Sequence, residues 1–189
     1  LQKVKKRYNF NYKKYSLGIL HPVTTNIKNL KKESQLFFST LTKTKLNYVL
    51  VYPNNDSGSD IILKELLKYK NHNNFRIFPS IRFEYYLTLL KNSTFIIGNS
   101  SSGIMEAPYY GISTINIGDR QKNRLKSKLI KNIPFNENEI LKAVKFAKNR
   151  KILKRKFFGE GKAVKKIEKL LLTQKLWKIS NQKNFIDII

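Results

Sequence analysis

An α/β fold built on a parallel sheet, with helices on both faces, is what this sequence predicts. Short apolar runs recur at residues 17–20, 48–52, 75–78, 95–98 and 114–118. Segments of helical period separate them, and dense turn signals such as Pro53-Asn54-Asn55-Asp56-Ser57-Gly58 punctuate the joins. Strands that alternate with helices pair in parallel and are buried on both faces. Their crossovers are right-handed.

Each element has its own local reason. Residues 1–15 are basic and aromatic without a clean period and read as a linker remnant. Leu17-Gly18-Ile19-Leu20 forms a strand that stops at His21-Pro22, because proline cannot donate to the ladder. Thr24 or Thr25 can cap a helix running to about Leu41, with Ile27, Leu30 and Phe37 or Phe38 inward. The strand at residues 48–52 is followed by a helix facing inward through Ile62, Leu66 and Tyr69. After Phe75-Arg76-Ile77-Phe78, Ser80 can cap a helix whose Phe83, Tyr86, Leu87 and Leu90 stand at i, i+3, i+4 and i+7.

Phe95-Ile96-Ile97-Gly98 then feeds Asn99-Ser100-Ser101-Ser102 and a short helix, and residues 114–118 make the fifth strand. A basic loop follows. Asn136 with Glu139 resembles a capping box for a helix through Ile140, Val144 and Ala147. Gly159 and Gly161 break the chain before an amphipathic segment at Ala163, Val164, Ile167, Leu170 and Leu171, and the tail keeps Trp177 and Phe185. The organisation expected is a linker at 1–15, a folded domain at 16–158, and a C-terminal helix and tail at 159–189.

Composition narrows the function classes. Lys and Arg number 38 against 12 Asp and Glu, a net charge of +26. Such a balance can mark a polyanion binder, yet the lysines are spread along the chain among Asn and Ile as a general bias. A basic polyanion-binding module therefore stands as an alternative, with nucleic acid disfavoured. Absence of cysteine excludes disulfides and thiolate metal sites, and His21 and His72 alone supply imidazole. No apolar run is long enough to span a bilayer, so the expected location is cytoplasmic. The opening at Leu1 reads as the middle of a longer polypeptide.

Parallel strands place all their carboxyl ends on one edge, so the loops opening at His21, Asn54, Asn99 and Asp119 converge. His21 can hydrogen-bond a phosphate or sugar hydroxyl, or be satisfied by backbone. Ser100 and Ser101 can bind phosphate or cap the helix. Glu106 beside phosphate would repel it, so a functional Glu106 grips neutral hydroxyls such as those of a ribose. Arg120 and Arg124 can neutralise a diphosphate, or be two more charges in a basic chain. Neither a Walker A loop, a Gly-x-Gly-x-x-Gly run nor a Gly-x-Ser-x-Gly elbow occurs, and no carboxylates are arranged as an acid–base pair. The residues themselves lead as far as a nucleotide-binding domain.

Several ordered motifs go further. His21-Pro22-Val23-Thr24-Thr25, Pro53-Asn54-Asn55-Asp56-Ser57-Gly58-Ser59, Phe78-Pro79-Ser80, Gly98-Asn99-Ser100-Ser101 with Glu106-Ala107-Pro108, and Ile115-Asn116-Ile117-Gly118 with Arg120-Gln121 resemble the UDP-N-acetylglucosamine 2-epimerase family. They are most similar to its hydrolysing branch, which feeds sialic-acid-type sugar synthesis. The resemblance runs from about Leu17 to the end, through Leu176-Trp177-Lys178-Ile179 and Gln182-Lys183-Asn184-Phe185.

The resemblance implies a Rossmann-like domain, the C-terminal half of a two-domain GT-B-like enzyme that is a homodimer when complete. It implies no metal or nicotinamide cofactor. His21, Ser100, Ser101 and Arg120 would meet the diphosphate of UDP, with Asn54 beside them and Glu106 at the ribose. His21 would serve catalysis by stabilising the leaving group. The carboxylates that move the sugar proton would belong to an N-terminal half, leaving this half inactive alone. A GT-B glycosyltransferase half is the second enzyme reading. Asn26, Met105 and Asp119 depart from the family pattern, and Asp119 would add negative charge near the phosphates.

Overall fold

The computed structural model describes residues 1–148, 157–159, 161–180 and 182. Its compact units are Leu1–Phe157 and Phe158–Ile189. In the first unit, six strands form one sheet: β1 Ser16–Ile19, β2 Tyr48–Val51, β3 Phe75–Phe78, β4 Phe95–Gly98, β5 Ser113–Ile117 and β6 Ile130–Ile133. Helices α1 Gln2–Arg7, α2 Ile27–Lys43, α3 Ser59–Leu67, α4 Phe83–Lys91, α5 Ser102–Tyr110 and α6 Glu137–Lys148 accompany them. All pairings are parallel in the order β3-β2-β1-β4-β5-β6, so the chain reverses its direction of travel between β1 and β4. Ligands in doubly wound sheets bind outside the carboxyl ends of the strands at that switch point.

The strands' two-residue period divides the core. Leu50, Ile97, Ile115 and Ile117 face Phe37, Leu41, Ile62, Leu66, Ile140 and Val144 of α2, α3 and α6. Leu17, Ile19, Val49 and Ile96 face the other way, onto Val4, Leu89, Leu90 and Ala107 of α1, α4 and α5. Ile96 and Ile97 are neighbours in sequence and sit in different halves of the core. Both faces are apolar, which is why the strands read as unbroken runs.

Four expectations need correction. Neither Thr24 nor Thr25 caps α2: both lie in a 3-10 turn, Thr24–Asn26, and Asn26 holds the N-cap position. The segment 1–15 is packed: α1 lies at its start, and Val4, Phe10 and Tyr15 are buried, with the Tyr15 hydroxyl donating to the Leu89 carbonyl at 2.8 Å. Its apolar residues are too widely spaced to show a period. Ser80 does not cap α4, which starts after Arg82; Phe83 is 62 % exposed while Leu89 and Leu90 are fully buried. The inward stripe is thus rotated from the expected one. Finally, the basic loop contains β6, an edge strand whose Lys131 and Asn132 are exposed and whose Ile133 alone is buried. Backbone pairing to β5 holds it, and such pairing leaves no apolar period.

Other details agree closely. Asn136 Oδ1 accepts the Glu139 N–H at 3.1 Å and so caps α6. In the second unit, Ala163–Leu171 forms α7 and Gln174–Trp177 forms α8, while Gly159 and Gly161 both take positive φ. Phe185 lies outside the described residues. No described helix is long and apolar enough to cross a membrane.

Candidate functional site

The site begins with a close approach of two strands. Gly98 ends β4 at φ +131°, and a Cβ there would stand 1.9 Å from the Ile19 carbonyl oxygen. Only glycine permits this. The approach carries Asn99 against His21 at the end of β1. The Asn99 Oδ1 accepts the His21 N–H at 2.7 Å, and its Nδ2 donates to the His21 carbonyl at 2.8 Å. Asn99 is 1 % exposed, so both ends of its amide are spent on this clamp.

The His21 ring meets the next loop. Its Nδ1 accepts the Asn54 N–H at 3.0 Å. Burial lowers the imidazole pKa from 6.5 to about 4, with the Arg120 charge acting in the same direction and Asp56 opposing. The ring is therefore neutral near pH 7. Because Nδ1 is an acceptor, the proton resides on Nε2, which can donate to an anion.

Arg120 closes the network from the β5 side. Its Nη1 donates to the Asn99 carbonyl at 3.1 Å, and Nη2 stands 3.9 Å from the Asp56 carboxylate. Asp56 also accepts from Asn54 Nδ2. Burial, with Arg124 contributing, lowers the Arg120 pKa, yet a guanidinium remains charged. Asn54 Oδ1 is buried without a hydrogen-bond partner. Loops after β1, β2, β4 and β5 thus converge as expected on one network.

The serine loop completes the edge. Ser100 Oγ accepts the Ser102 N–H at 3.3 Å, and Ser101 occupies the N-cap of α5 without a side-chain cap bond. The Ser100 hydroxyl thus closes the turn that leads into α5, and the Ser101 hydroxyl makes no cap bond. The Tyr86 hydroxyl donates to Ser102 Oγ at 2.6 Å. Burial pushes the Tyr86 pKa up, and the nearby Glu106 carboxylate adds to the rise. Half-buried Glu106 lies at the middle of α5, one turn on from Ser102.

Asp119 does not add its charge to the network. Its side chain is 84 % exposed and pairs with Lys122 at 3.1 Å. Met105 is likewise exposed, and Asn26 donates through Nδ2 to Glu33 Oε1 at 3.1 Å. A cavity of about 770 Å³, lined by Thr25, Asn26, Glu33, Asp119, Lys122 and Asn132 among others, opens at the same sheet edge. Among the described residues, no three His, Asp or Glu side chains cluster as metal ligands would.

Asn99, Asp56 and Tyr86 escaped the sequence reading as site residues. A glycine at the end of a buried strand is the signal for Asn99, because the residue after such a contact is pressed onto the neighbouring strand. Asp56 lay inside a turn motif, and Tyr86 was absorbed into a core stripe.

The family model for UDP-N-acetylglucosamine 2-epimerase matches residues 1–172. A Neisseria meningitidis protein named UDP-N-acetylglucosamine 2-epimerase is 38 % identical over 192 aligned positions, covering 100 % of this chain and 51 % of its own length. A Legionella pneumophila protein named UDP-N,N'-diacetylbacillosamine 2-epimerase (hydrolyzing) is 31 % identical, covering 88 % of this chain and 45 % of that protein. The crystal structure of the Methanocaldococcus jannaschii UDP-GlcNAc 2-epimerase, in complex with UDP-GlcNAc and UDP, superposes with a TM-score of 0.72 at 20 % identity, over 90 % of this chain and 48 % of that one. This chain spans about half the length of these relatives. Its motifs, its strand order and the family match agree, and the chain belongs to the UDP-N-acetylglucosamine 2-epimerase family.

Proposed function

We propose that this chain is the UDP-holding half of a hydrolysing UDP-N-acetylglucosamine 2-epimerase, of the kind that feeds sialic-acid-type sugar synthesis. The observation that carries the reading is the network joining His21, Asn54, Asn99 and Arg120 at the switch point of the sheet. Its donors suit a diphosphate. The Nε2–H of neutral His21 and the Arg120 guanidinium supply a neutral and a charged donor, while Ser100 and Ser101 add hydroxyls at the start of α5. Glu106 takes the ribose hydroxyls. The hydrolysing type is supported by the motif resemblance and by the name of the Legionella relative.

In the reaction of that branch, UDP leaves the sugar by elimination and water then adds to the glycal, releasing N-acetylmannosamine. Negative charge grows on the departing diphosphate, and donors already held in place lower its energy without reorganising. This chain's share is that stabilisation. The carboxylates that move the sugar proton come from an N-terminal half, and dimerisation belongs to the complete enzyme.

Titration of the full 189-residue chain with millimolar UDP tests the site: a rise in melting temperature is expected. No rise would overturn the nucleotide reading. Incubation of UDP-N-acetylglucosamine with this chain joined to an N-terminal half tests the reaction. Free N-acetylmannosamine supports the hydrolysing type, and UDP-N-acetylmannosamine as sole product refutes it.

A further inference from the structure

A second charged cavity lies at the opposite edge of the sheet, where the strands begin. It has a volume of about 360 Å³ and is lined by Lys13, Lys14, Lys45 and Lys148 together with Asn47 and Asn92, and by no acidic residue. The size falls within the range of small-molecule sites. All four lysines are exposed, and among the described residues none of them forms an ion pair.

The ordinary explanation for lysines here is helix capping, because α2, α4 and α6 end at this edge and cations suit helix C-termini. Neutral side chains already do that work in two of those helices. Thr44 Oγ1 donates to the Leu41 carbonyl at 2.7 Å and Asn92 Nδ2 to the Thr88 carbonyl at 2.8 Å, with Ser93 Oγ on the Leu90 carbonyl at 2.8 Å. None of the four ammonium groups donates to a carbonyl in the described hydrogen bonds. The four lysines border one concave surface, and no described carboxylate pairs with any of them. Lys45 in addition holds φ +54°, a left-handed conformation that favours glycine or asparagine.

We propose that this pocket binds a small, multiply charged phosphate anion, at a site distinct from the nucleotide crevice. Lysines act there as mobile point charges around the anion, and Asn47 and Asn92, whose amides donate to the Lys14 and Thr88 carbonyls, form part of the wall. The inference does not depend on the UDP reading, since it uses none of those residues.

Calorimetric titration of inorganic pyrophosphate into the full chain tests it, with Arg120→Ala as the background to weaken binding in the nucleotide crevice. Pyrophosphate binding is expected to persist in Arg120→Ala and to fall at least about tenfold when Lys14→Gln and Lys45→Gln are added, as expected for loss of charge-assisted contacts. The exposed pair Lys3→Gln and Lys6→Gln, which removes the same charge elsewhere, should leave it within about twofold. Two results overturn the proposal. One is loss of all pyrophosphate binding in Arg120→Ala. The other is an equal weakening by both lysine pairs, which would make the effect one of net charge. Thermal unfolding of each variant separates lost binding from lost fold.

Discussion

The Nδ1 of His21 accepts the Asn54 N–H at 3.0 Å, which fixes the imidazole proton on Nε2 and binds the loop after β1 to the loop after β2. Protonating that ring would break the contact, because a second proton would occupy the accepting nitrogen.

A pH dependence follows. The folded-state pKa of His21 is lowered from 6.5 to about 4, chiefly by burial. A depressed pKa means that its stabilising contribution is fully present above about 6.5 and is lost as pH falls through about 4. Melting temperature should therefore fall across that window in the wild type, and His21→Gln should flatten the fall. An imidazole that titrates near 6.5 by NMR would contradict the buried, neutral ring.

Asn99→Ala should destabilise the chain by roughly 2–3 kcal/mol, since it strips the His21 N–H and carbonyl of their side-chain partners in a buried setting. Urea unfolding measures it. A change below about 0.5 kcal/mol, the size of an ordinary surface substitution, would show that water replaces the clamp.

Gly98→Ala should be worse. The added Cβ meets the Ile19 carbonyl at 1.9 Å, in a backbone conformation that alanine rarely adopts. The two strands at the switch point cannot separate without losing their pairing, so a loss above about 4 kcal/mol or failure to fold is expected. A well-folded variant with an unchanged urea midpoint would refute that account.

Arg120→Lys tests geometry apart from charge. A lysine keeps the cation and loses the planar fork that reaches the Asn99 carbonyl while facing Asp56. UDP affinity should fall about tenfold or more, a loss of about 1.4 kcal/mol, with little change in melting temperature of the free chain. Unchanged affinity by calorimetry would remove Arg120 from the diphosphate site.

Tyr86→Phe removes one hydrogen bond, from the tyrosine hydroxyl to Ser102 Oγ. The expected cost is about 1 kcal/mol in urea unfolding. UDP binding should weaken with it, because the contact holds the first turn of α5 against α4. If stability falls while UDP affinity stays level, Tyr86 is a packing residue only.

Much of this protein could be read from the order of its residues. Five apolar runs named five strands, and the turn clusters after them named the loops that carry His21, Asn54, Ser100 and Arg120. Burial on both faces makes such strands conspicuous, and a parallel sheet then places their ends together whatever the details of packing. The recurrence of several family motifs in order likewise identified the family. Short-range chemistry was legible too, as in the Asn136 cap of α6.

Contacts decided the rest. β6 has one buried residue and is a strand because β5 offers it a ladder, a fact about a neighbour distant in sequence. The first fifteen residues pack because Val4, Phe10 and Tyr15 find an apolar face to cover, although their spacing carries no period. Choice between alternatives at the site was also tertiary. Ser100 rather than Ser101 closes the turn, Asp119 turns out to Lys122, and the state of His21 depends on a backbone N–H thirty-three residues away. Sequence sets which groups can ionise or donate; burial and partner geometry, which exist only in the folded chain, set which of them do.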